Sequence, residues 1–285
     1  MMHMDLLLIH TGGTIGMVPT PNGLAPQNGV VEDAISARLS AGVTLHQYVF
    51  DPLLDSADVG PDHWNEILSV LASHPDMPTI VTHGTDTMSF TGAALSQALA
   101  GLNRRVILCG SMQPLNTGGD AEGNLDLALN AALNHSDAGV YLSFAGKLLP
   151  ADGLTKYDSH ADNAFRHILQ APLTPPTRRH FTPKRLAVLT LTPDFPVAAL
   201  AAMLSELDGA VLQVFGAGTA MNNPALYDVL KVAIADRKRI RAVSQSTTGG
   251  LEPGAYAAGS ALWAAGVENG GLETPEAALI HLWLN

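Results

Sequence analysis

Short apolar runs alternate with longer amphipathic stretches along most of the chain. In the first half, the apolar runs predict strands at Leu6–Ile9, Val43–Phe50, Thr79–Thr82, Val106–Leu108 and Gly139–Phe144. Stretches with apolar residues at helical spacing lie between them, near residues 30–39, 62–72, 87–99 and 123–134. Such a rhythm predicts an α/β fold whose mostly parallel, doubly wound sheet is covered by helices on both faces.

The rhythm stops at a proline-rich stretch and then resumes. Four prolines crowd residues 172–184, where little periodicity remains, and we therefore predict a linker there. Beyond it, predicted strands at 186–191, 210–215 and 240–243 alternate with predicted helices at 197–207, 224–237, 256–265 and 274–284. The predicted architecture is two domains, a larger N-terminal α/β domain over residues 1–171 and a smaller parallel α/β domain over residues 185–285.

Threonines and glycines follow two of the predicted strands. Thr11-Gly12-Gly13-Thr14-Ile15-Gly16 comes after the first strand, and His83-Gly84-Thr85-Asp86-Thr87 comes after the third. The carboxyl ends of parallel strands lie at one edge of a sheet, where ligands usually bind. Glycines there let backbone amides approach a ligand closely. The sequence therefore predicts that Thr14 and Thr85 face one pocket, although either motif alone would also suit an ordinary tight turn.

A threonine hydroxyl is a weak nucleophile and needs a base. The candidate base system is Thr85 with Lys156, because a desolvated lysine beside a hydroxyl can accept its proton. Asp86 follows Thr85 and could hold either the lysine or a substrate ammonium. For Lys156, spacing in the sequence does not separate this role from that of a solvated surface charge.

Other kinds of site are disfavoured by spacing. The glycines at 12, 13 and 16 do not follow the G-x-G-x-x-G pattern, and no Gly-Lys-Ser/Thr run follows, which argues against nucleotide binding. His10 and His83 precede the two loops, and Asp158, His160 and Asp162 alternate. None has the HExxH or Cys/His spacing of a metal site, so we predict no metal.

Composition excludes further classes of protein. Of the 285 residues 47% are hydrophobic and 14% charged, which predicts a sizeable core, and the low charge fraction suggests an oligomer. A net charge of -11 argues against nucleic-acid binding, and we interpret the basic run at 237–241 as a helix C-terminus. Cys109 stands alone, so no intrachain disulfide forms. The run Leu6–Ile9 is too short for a signal peptide or a membrane span, and we expect a cytoplasmic protein.

The two glycine–threonine motifs resemble the two signatures of the bacterial-type L-asparaginase family. Supporting matches span nearly the whole chain: Asp55-Ser56-Ala57-Asp58 with Trp64, Gly110–Pro114 with Asp120 and Asn124, and Thr155-Lys156 with His160-Ala161-Asp162. The Gly-Met after the first signature and the Asp-Ser-x-Asp loop look more like the cytoplasmic type I branch than the secreted type II branch.

The resemblance implies a role for each matching residue. Thr14 would form an acyl-enzyme with the side-chain amide carbon of asparagine, releasing ammonia, and Thr85, Asp86 and Lys156 would handle protons. The implied substrate-binding residues are Gly13, Asp55, Ser56, Gly84, Thr85, Asp86 and Ser111. Among these, Ser56 would bind the α-carboxylate and Asp86 the α-ammonium. The family uses no metal or cofactor and forms homodimers or homotetramers in which a neighbouring subunit completes each site.

The chain departs from the family pattern at the lid. The family usually carries a tyrosine there that hydrogen-bonds the nucleophile, and the matching residue in Asn22-Gly23-Leu24-Ala25-Pro26 is Leu24. In the C-terminal part, Thr219 stands where asparagine is common, and Glu252 is a weak match for an acidic residue donated across the interface. A broader amidase such as a glutaminase, or an amino-acid-binding protein without turnover, therefore remains open beside asparagine hydrolysis.

Overall fold

The computed structural model describes residues 4–135 and 137–285. These residues form two compact units that are described separately below. The first contains the chain up to His167 together with Leu173–Pro175 and Arg179–Phe181, and the second contains Ile168–Pro172, Pro176–Arg178 and Thr182–Asn285.

The first unit is built on a six-stranded sheet. Its elements in chain order are β1 (Met4–Gly12), β2 (Met17–Thr20), β3 (Gly23–Pro26), α1 (Val30–Ser36), β4 (Val43–Leu54), α2 (Pro61–Ser73), β5 (Thr79–Thr82), α3 (Met88–Ala98), β6 (Arg105–Cys109), α4 (Ala121–Asn134), β7 (Gly139–Phe144), β8 (Lys147–Pro150), β9 (Leu154–Lys156) and β10 (Phe165–His167). The strand order is β4-β1-β5-β6-β7-β8, and only β8 runs antiparallel to its neighbour. The order reverses between β1 and β5, and the crevice beyond the carboxyl ends of two such strands is the usual ligand site of open α/β sheets.

Both faces of this sheet are buried, which explains the unbroken apolar runs of its strands. Leu7 and Ile9 of β1 pack into a core with side chains of α2 and α3. Leu6 and Leu8 point to the opposite face and pack with side chains of α1 and α4. All four are at most 1% exposed. Full burial stabilises each such side chain by roughly 1.5–3 kcal/mol, which fixes the strand register and hence the position of the loops that follow.

The second unit has a smaller, fully parallel sheet in the order β11-β12-β13-β14. Its elements are β11 (Leu186–Thr190), α5 (Val197–Glu206), β12 (Gly209–Val214), α6 (Pro224–Ala235), β13 (Arg239–Ser244), α7 (Ser260–Ala264), β14 (Glu268–Asn269) and α8 (Pro275–Leu284). Side chains of α5 and α6 share one core with β12 and β13, and α8 contacts β11, β12 and β13. The predicted α/β class with a larger and a smaller parallel sheet is confirmed.

The predicted linker, residues 172–184, contains no helix or strand. Two of its basic side chains nevertheless form hydrogen bonds with carbonyls elsewhere in the chain. The Arg179 guanidinium donates to the carbonyls of Ala98 and Ala100 at the end of α3, at 2.5 and 2.9 Å. The Lys184 ammonium donates to the carbonyls of Leu282 and Trp283 in the last turn of α8, at 2.6 and 3.1 Å. The limits 1–171, 172–184 and 185–285 stay a prediction.

The interpretation of the basic run at 237–241 as a helix C-terminus is wrong for Arg239 and Arg241. Helix α6 ends at Ala235, and Arg239 and Arg241 lie on β13. The intervening Ile240 is buried, so the stretch alternates as a strand does. Both arginines form ion pairs with Glu268, with shortest N–O distances of 2.6 and 3.1 Å. The predicted helix over 256–265 is also shorter, since its α-helical part is Ser260–Ala264.

Lys238, in the same run, contacts the C-terminal end of α5. Its ammonium donates to the carbonyls of Leu204 and Ser205 at 2.6 and 3.2 Å. We expect Lys238→Met to lower the free energy of unfolding by about 1–2 kcal/mol, because two last-turn carbonyls lose a charged donor. Urea denaturation measures this. Lys231→Met removes an exposed lysine 3.7 Å from Asp228 and should stay within about 0.5 kcal/mol of wild type. Equal losses in the two variants would contradict the capping role.

Candidate active site

The loop after β1 depends on two glycines in the left-handed region of backbone space. Gly12 has φ 132° and Gly13 has φ 91°. A Cβ atom at Gly12 would overlap the Leu54 carbonyl oxygen, and one at Gly13 would overlap the Gly84 nitrogen. The chain then enters a 3₁₀ turn over Thr14–Gly16, so Thr14 is delivered to the carboxyl edge of the sheet.

The loop after β5 meets the first loop at Gly84. A Cβ atom on Gly84 would lie 2.6 Å from Ser56 Oγ and 3.4 Å from Gly13 Cα. Gly13, Gly84 and Ser56 therefore touch, although they follow three different strands. Ser56 is 4% exposed and begins a 3₁₀ turn over Ser56–Asp58. Three residues that the sequence analysis assigns to substrate binding thus form one continuous surface.

Lys156, at the end of β9, contacts both residues that follow Gly84. Its Nζ lies 2.8 Å from Thr85 Oγ1 and 2.6 Å from Asp86 Oδ1. The Lys156 side chain is 16% exposed and the Asp86 side chain 71% exposed. An ion pair with so exposed a partner contributes little to stability. Its effect is geometric, because it holds the lysine nitrogen within proton-transfer distance of the Thr85 hydroxyl.

Thr14 is half-buried, and no side chain among residues 4–135 and 137–285 hydrogen-bonds its hydroxyl. The segment that follows is an antiparallel hairpin of β2 and β3. These strands were not predicted from the sequence, because three prolines and one glycine in this short segment mask its periodicity. Leu24 lies on β3, opposite Pro19, and the residue is 50% exposed. Leu24 has no hydrogen-bonding atom to offer the nucleophile.

The two remaining predicted residues lie beside β4 and β6. The Asp55 carboxylate accepts from the Ala57 amide at 2.9 Å and so caps the turn that carries Ser56. Ser111, 1% exposed, follows β6, and its hydroxyl donates to the Gln113 carbonyl at 2.5 Å. Asp120, the N-cap residue of α4, accepts from the Gln113 amide at 2.9 Å. These hydroxyl and carboxylate groups therefore shape two loops at the carboxyl edge of the sheet.

A hydrogen-bonded chain behind Gly84 was missed by the sequence analysis. His83 is fully buried, and its Nδ1 lies 2.7 Å from the Gly84 carbonyl oxygen. A carbonyl can only accept, so the Nδ1 nitrogen carries the proton and Nε2 accepts from the Thr91 hydroxyl at 2.9 Å. Thr91 in turn accepts from Trp64 Nε1 at 3.0 Å. Helices α2 and α3 thereby fix the peptide that joins Gly84 to Thr85. The residues are distant in sequence, so no local pattern reveals the chain.

His10 supports the nucleophile loop in a similar way. It is buried under Gly16, whose Cβ position would lie 2.9 Å from the His10 Nε2 atom. Its Nδ1 atom lies 2.6 Å from Thr82 Oγ1. Burial lowers the pKa of both His10 and His83 from 6.5 to about 4, with a smaller opposing effect of Glu32 on His10 and of the Gly84 hydrogen bond on His83. Both imidazoles are therefore neutral near pH 7.

The described residues contain no group of three or more His, Cys, Asp or Glu side chains placed to hold a metal ion. In the alternating segment at 158–162, Asp158 Oδ1 accepts from the amides of His160 and Ala161 at 2.8 and 2.9 Å. That carboxylate closes a local turn. Among the described residues, no helix is long and apolar enough to cross a bilayer.

The family model described as "Asparaginase, N-terminal" matches residues 5–185 of the chain. This chain belongs to the asparaginase family. A second model, described as "Glutaminase/Asparaginase C-terminal domain", matches residues 185–285.

Relatives of similar length share this assignment. This chain is 30% identical to L-asparaginase 1 of Escherichia coli (strain K12). The aligned region covers 98% of this chain and 90% of the Escherichia coli protein. The sequence is also 30% identical to that of L-asparaginase I from Vibrio cholerae O1 biovar eltor str. N16961. The crystal structure of that protein matches this fold with a TM-score of 0.83, and the match covers 99% of this chain and 92% of the Vibrio chain. The thermostable L-asparaginase from Thermococcus kodakarensis is 28% identical, with a TM-score of 0.85 over 98% and 92% of the two chains.

The buried histidines predict how stability depends on pH. Between pH 6.5 and 4 the unfolded chain takes up protons at His10 and His83 that the folded chain does not, because both folded pKa values are lowered to about 4. The free energy of unfolding is therefore highest above pH 6.5 and falls as the pH drops toward 4, by up to about 3 kcal/mol for each histidine. Urea denaturation at a series of pH values measures the slope.

The histidine variants separate this effect from general acid sensitivity. His83→Asn keeps a donor near the Gly84 carbonyl but has no group that titrates in this range, so its stability should fall less steeply. His160→Asn alters an exposed histidine and should keep the wild-type slope. Identical slopes in all three proteins would exclude His83 as a source of the effect.

Proposed function

We propose that this protein hydrolyses the side-chain amide of L-asparagine to aspartate and ammonia, with Thr14 as the covalent nucleophile. The observation that carries the proposal is the contact of Lys156 with Thr85 and Asp86, next to the glycine pair that joins the Thr14 loop to the Thr85 loop. Membership of the asparaginase family and relatives named L-asparaginase support the choice of substrate.

The reaction divides into two acyl transfers. The Thr14 oxygen attacks the amide carbon, and collapse of the tetrahedral intermediate breaks the carbon–nitrogen bond and leaves an ester on Thr14. The departing nitrogen gains a proton and leaves as ammonia. Water then attacks the ester, giving aspartate and regenerating the hydroxyl. Thr85, Lys156 and Asp86 form the proton-handling group in both halves, with the Lys156 nitrogen 2.8 Å from the Thr85 hydroxyl.

Recognition of the amino-acid part requires donors for a carboxylate and an acceptor for an ammonium. We assign the carboxylate to the Ser56 hydroxyl and to backbone amides near Gly13 and Gly84, where glycine allows close approach. We assign the ammonium to Asp86, whose exposed carboxylate has one oxygen engaged with Lys156. The Ser111 carbonyl is assigned to the leaving amide. Backbone donors of this kind stabilise a developing oxyanion by a few kcal/mol each.

We also propose a homodimer or homotetramer in the cytoplasm that uses no metal or organic cofactor. The type I resemblance and the low content of charged residues support the assembly, and the single, buried Cys109 suits a reducing compartment. Sedimentation of the purified protein measures the number of subunits.

A binding protein without turnover is a second candidate, favoured by the Thr14 hydroxyl. That hydroxyl makes no hydrogen bond to a described side chain, and Leu24 supplies none. In this alternative, aspartate or asparagine raises the melting temperature but no ammonia is released. A panel of asparagine, glutamine and simple amides separates a specific asparaginase from a broader amidase.

The nucleophile assignment predicts the effect of Thr14→Ala. This variant should lose ammonia release from asparagine by at least ~10³-fold, because it removes the hydroxyl assigned to the acyl-enzyme. Thr14→Ser should retain part of the activity and trap an aspartyl ester detectable by mass spectrometry. Ser73→Ala changes an exposed hydroxyl in the last turn of α2 and should match wild type. Equal activity of Thr14→Ala and wild type would refute the assignment.

The lid residue predicts a gain of function. Leu24→Tyr should raise kcat for asparagine by about 10-fold, because a phenol on the hairpin can exchange a proton with Thr14. Leu24→Phe adds the same ring without the hydroxyl and serves as the control. Stopped-time ammonia assays at saturating asparagine measure both variants. If the two variants behave alike, the phenol hydroxyl has no role in this chain and another group accepts the Thr14 proton.

A further inference from the structure

Thr87 stands at the N-cap of α3, yet its hydroxyl does not cap that helix. Threonine at this position normally accepts from a backbone amide of the first turn, and such a cap stabilises the helix. Here the hydroxyl instead donates to the Ser56 carbonyl oxygen at 2.5 Å, across 31 residues of sequence. The Thr87 hydroxyl therefore contacts the loop that follows β4 in place of the first turn of α3.

The contact holds one end of a peptide whose other end is also held. The Ser56 carbonyl oxygen accepts from Thr87 Oγ1 and from the Val59 amide at 3.1 Å. The Ala57 amide, in the same peptide plane, donates to Asp55 Oδ1 at 2.9 Å. Because a peptide unit is planar, fixing its oxygen and its nitrogen fixes its orientation. Of these partners, Thr87 alone comes from outside the loop.

The orientation of this peptide decides where the Ser56 side chain lies. Ser56 Oγ is close to the Gly84 backbone, 2.6 Å from the Gly84 Cβ position. Ser56 is 4% exposed, and within the described residues its hydroxyl makes no hydrogen bond. The Ser56 Oγ atom itself is not sealed from solvent, so its hydrogen-bonding capacity is available to a ligand. Thr87 therefore ties a hydroxyl that is available to a ligand to the helix that follows Thr85 and Asp86.

We propose that Thr87 is a positioning residue that sets the Ser56 hydroxyl for the α-carboxylate of the substrate. The proposal rests on the proposed function, because it uses the carboxylate role assigned to Ser56. Thr87 acts through Ser56 and does not touch the substrate. Loss of its hydroxyl loosens the Ser56 turn relative to Gly84 and weakens an interaction made equally in the ground state and in the transition state. Such a loss raises KM and leaves kcat nearly unchanged.

The test compares Thr87→Val with Thr87→Ser. Valine has nearly the shape of threonine without the donor, and serine keeps the donor without the methyl group. We expect Thr87→Val to raise KM for asparagine about 10-fold with kcat within about 2-fold, and Thr87→Ser to stay near wild type. A purely structural role would lower the melting temperature and leave KM unchanged. An unchanged KM in Thr87→Val, or an equal rise in both variants, would overturn the proposal.

A double-mutant cycle shows whether Thr87 acts through Ser56. Ser56→Ala should raise KM by itself, and adding Thr87→Val to it should raise KM little further, since the hydroxyl to be positioned is gone. If Thr87→Val raises KM as much in the Ser56→Ala background as in wild type, Thr87 does not act through Ser56 and the proposal is overturned.

The same cycle on the dissociation constant of aspartate, measured by calorimetry, does not depend on turnover. Wild type that binds aspartate but releases no ammonia would contradict the proposed hydrolysis and still test the positioning role. Wild type that hydrolyses asparagine, with Thr87→Val unchanged in KM and in aspartate binding, would contradict only the positioning role.

Discussion

The contact between the backbones of Gly13 and Gly84 is the constraint on which the rest of the site depends. The two loops come from strands β1 and β5, which the sheet pairs directly, and no side chain separates them. Any residue with a Cβ at Gly13 would push the Thr14 turn away from the loop that carries Thr85 and Asp86. The buried strands hold the two loops rigidly. Because Gly13 and Gly84 have no side chains, the nucleophile loop can lie close to the proton-handling residues.

Much of this arrangement could be predicted from the sequence, because it is encoded locally. The β1 and β5 runs, the glycine–threonine motifs after them and the two α/β units follow from periodicity and turn chemistry. Chemistry made Lys156 a candidate partner of Thr85, but only the family resemblance separated it from a solvated surface charge, since nothing in the spacing of a lone lysine reports on burial. The β2–β3 hairpin and the arginines of β13 were misjudged because prolines and charges dominate those segments. The Trp64–Thr91–His83 chain and the Thr87 contact join distant residues through single hydrogen bonds and leave no periodic signal.

Arginine and lysine are scarce in this chain, and the structure explains where they are used. Of 15 such residues, six donate to carbonyls at or near the C-terminal end of an α-helix: Arg38 for α1, Arg104 for α2, Arg179 for α3, Arg105 for α4, Lys238 for α5 and Lys184 for α8. Each complements the negative end of a helix dipole and satisfies carbonyls that have no partner within the helix.

This use of the cations has a consequence for the electric field around the molecule. Positive charges held against helix ends are offset by the partial charges they face, so the net charge of -11 resides mainly in exposed carboxylates. Asparagine is a neutral zwitterion and enters such a field with little penalty. Aspartate leaves as an anion and is repelled once it is outside the site. The net negative charge thus disfavours the return of aspartate more than the entry of asparagine, an effect that added salt would screen within about 10 Å at 0.1 M ionic strength.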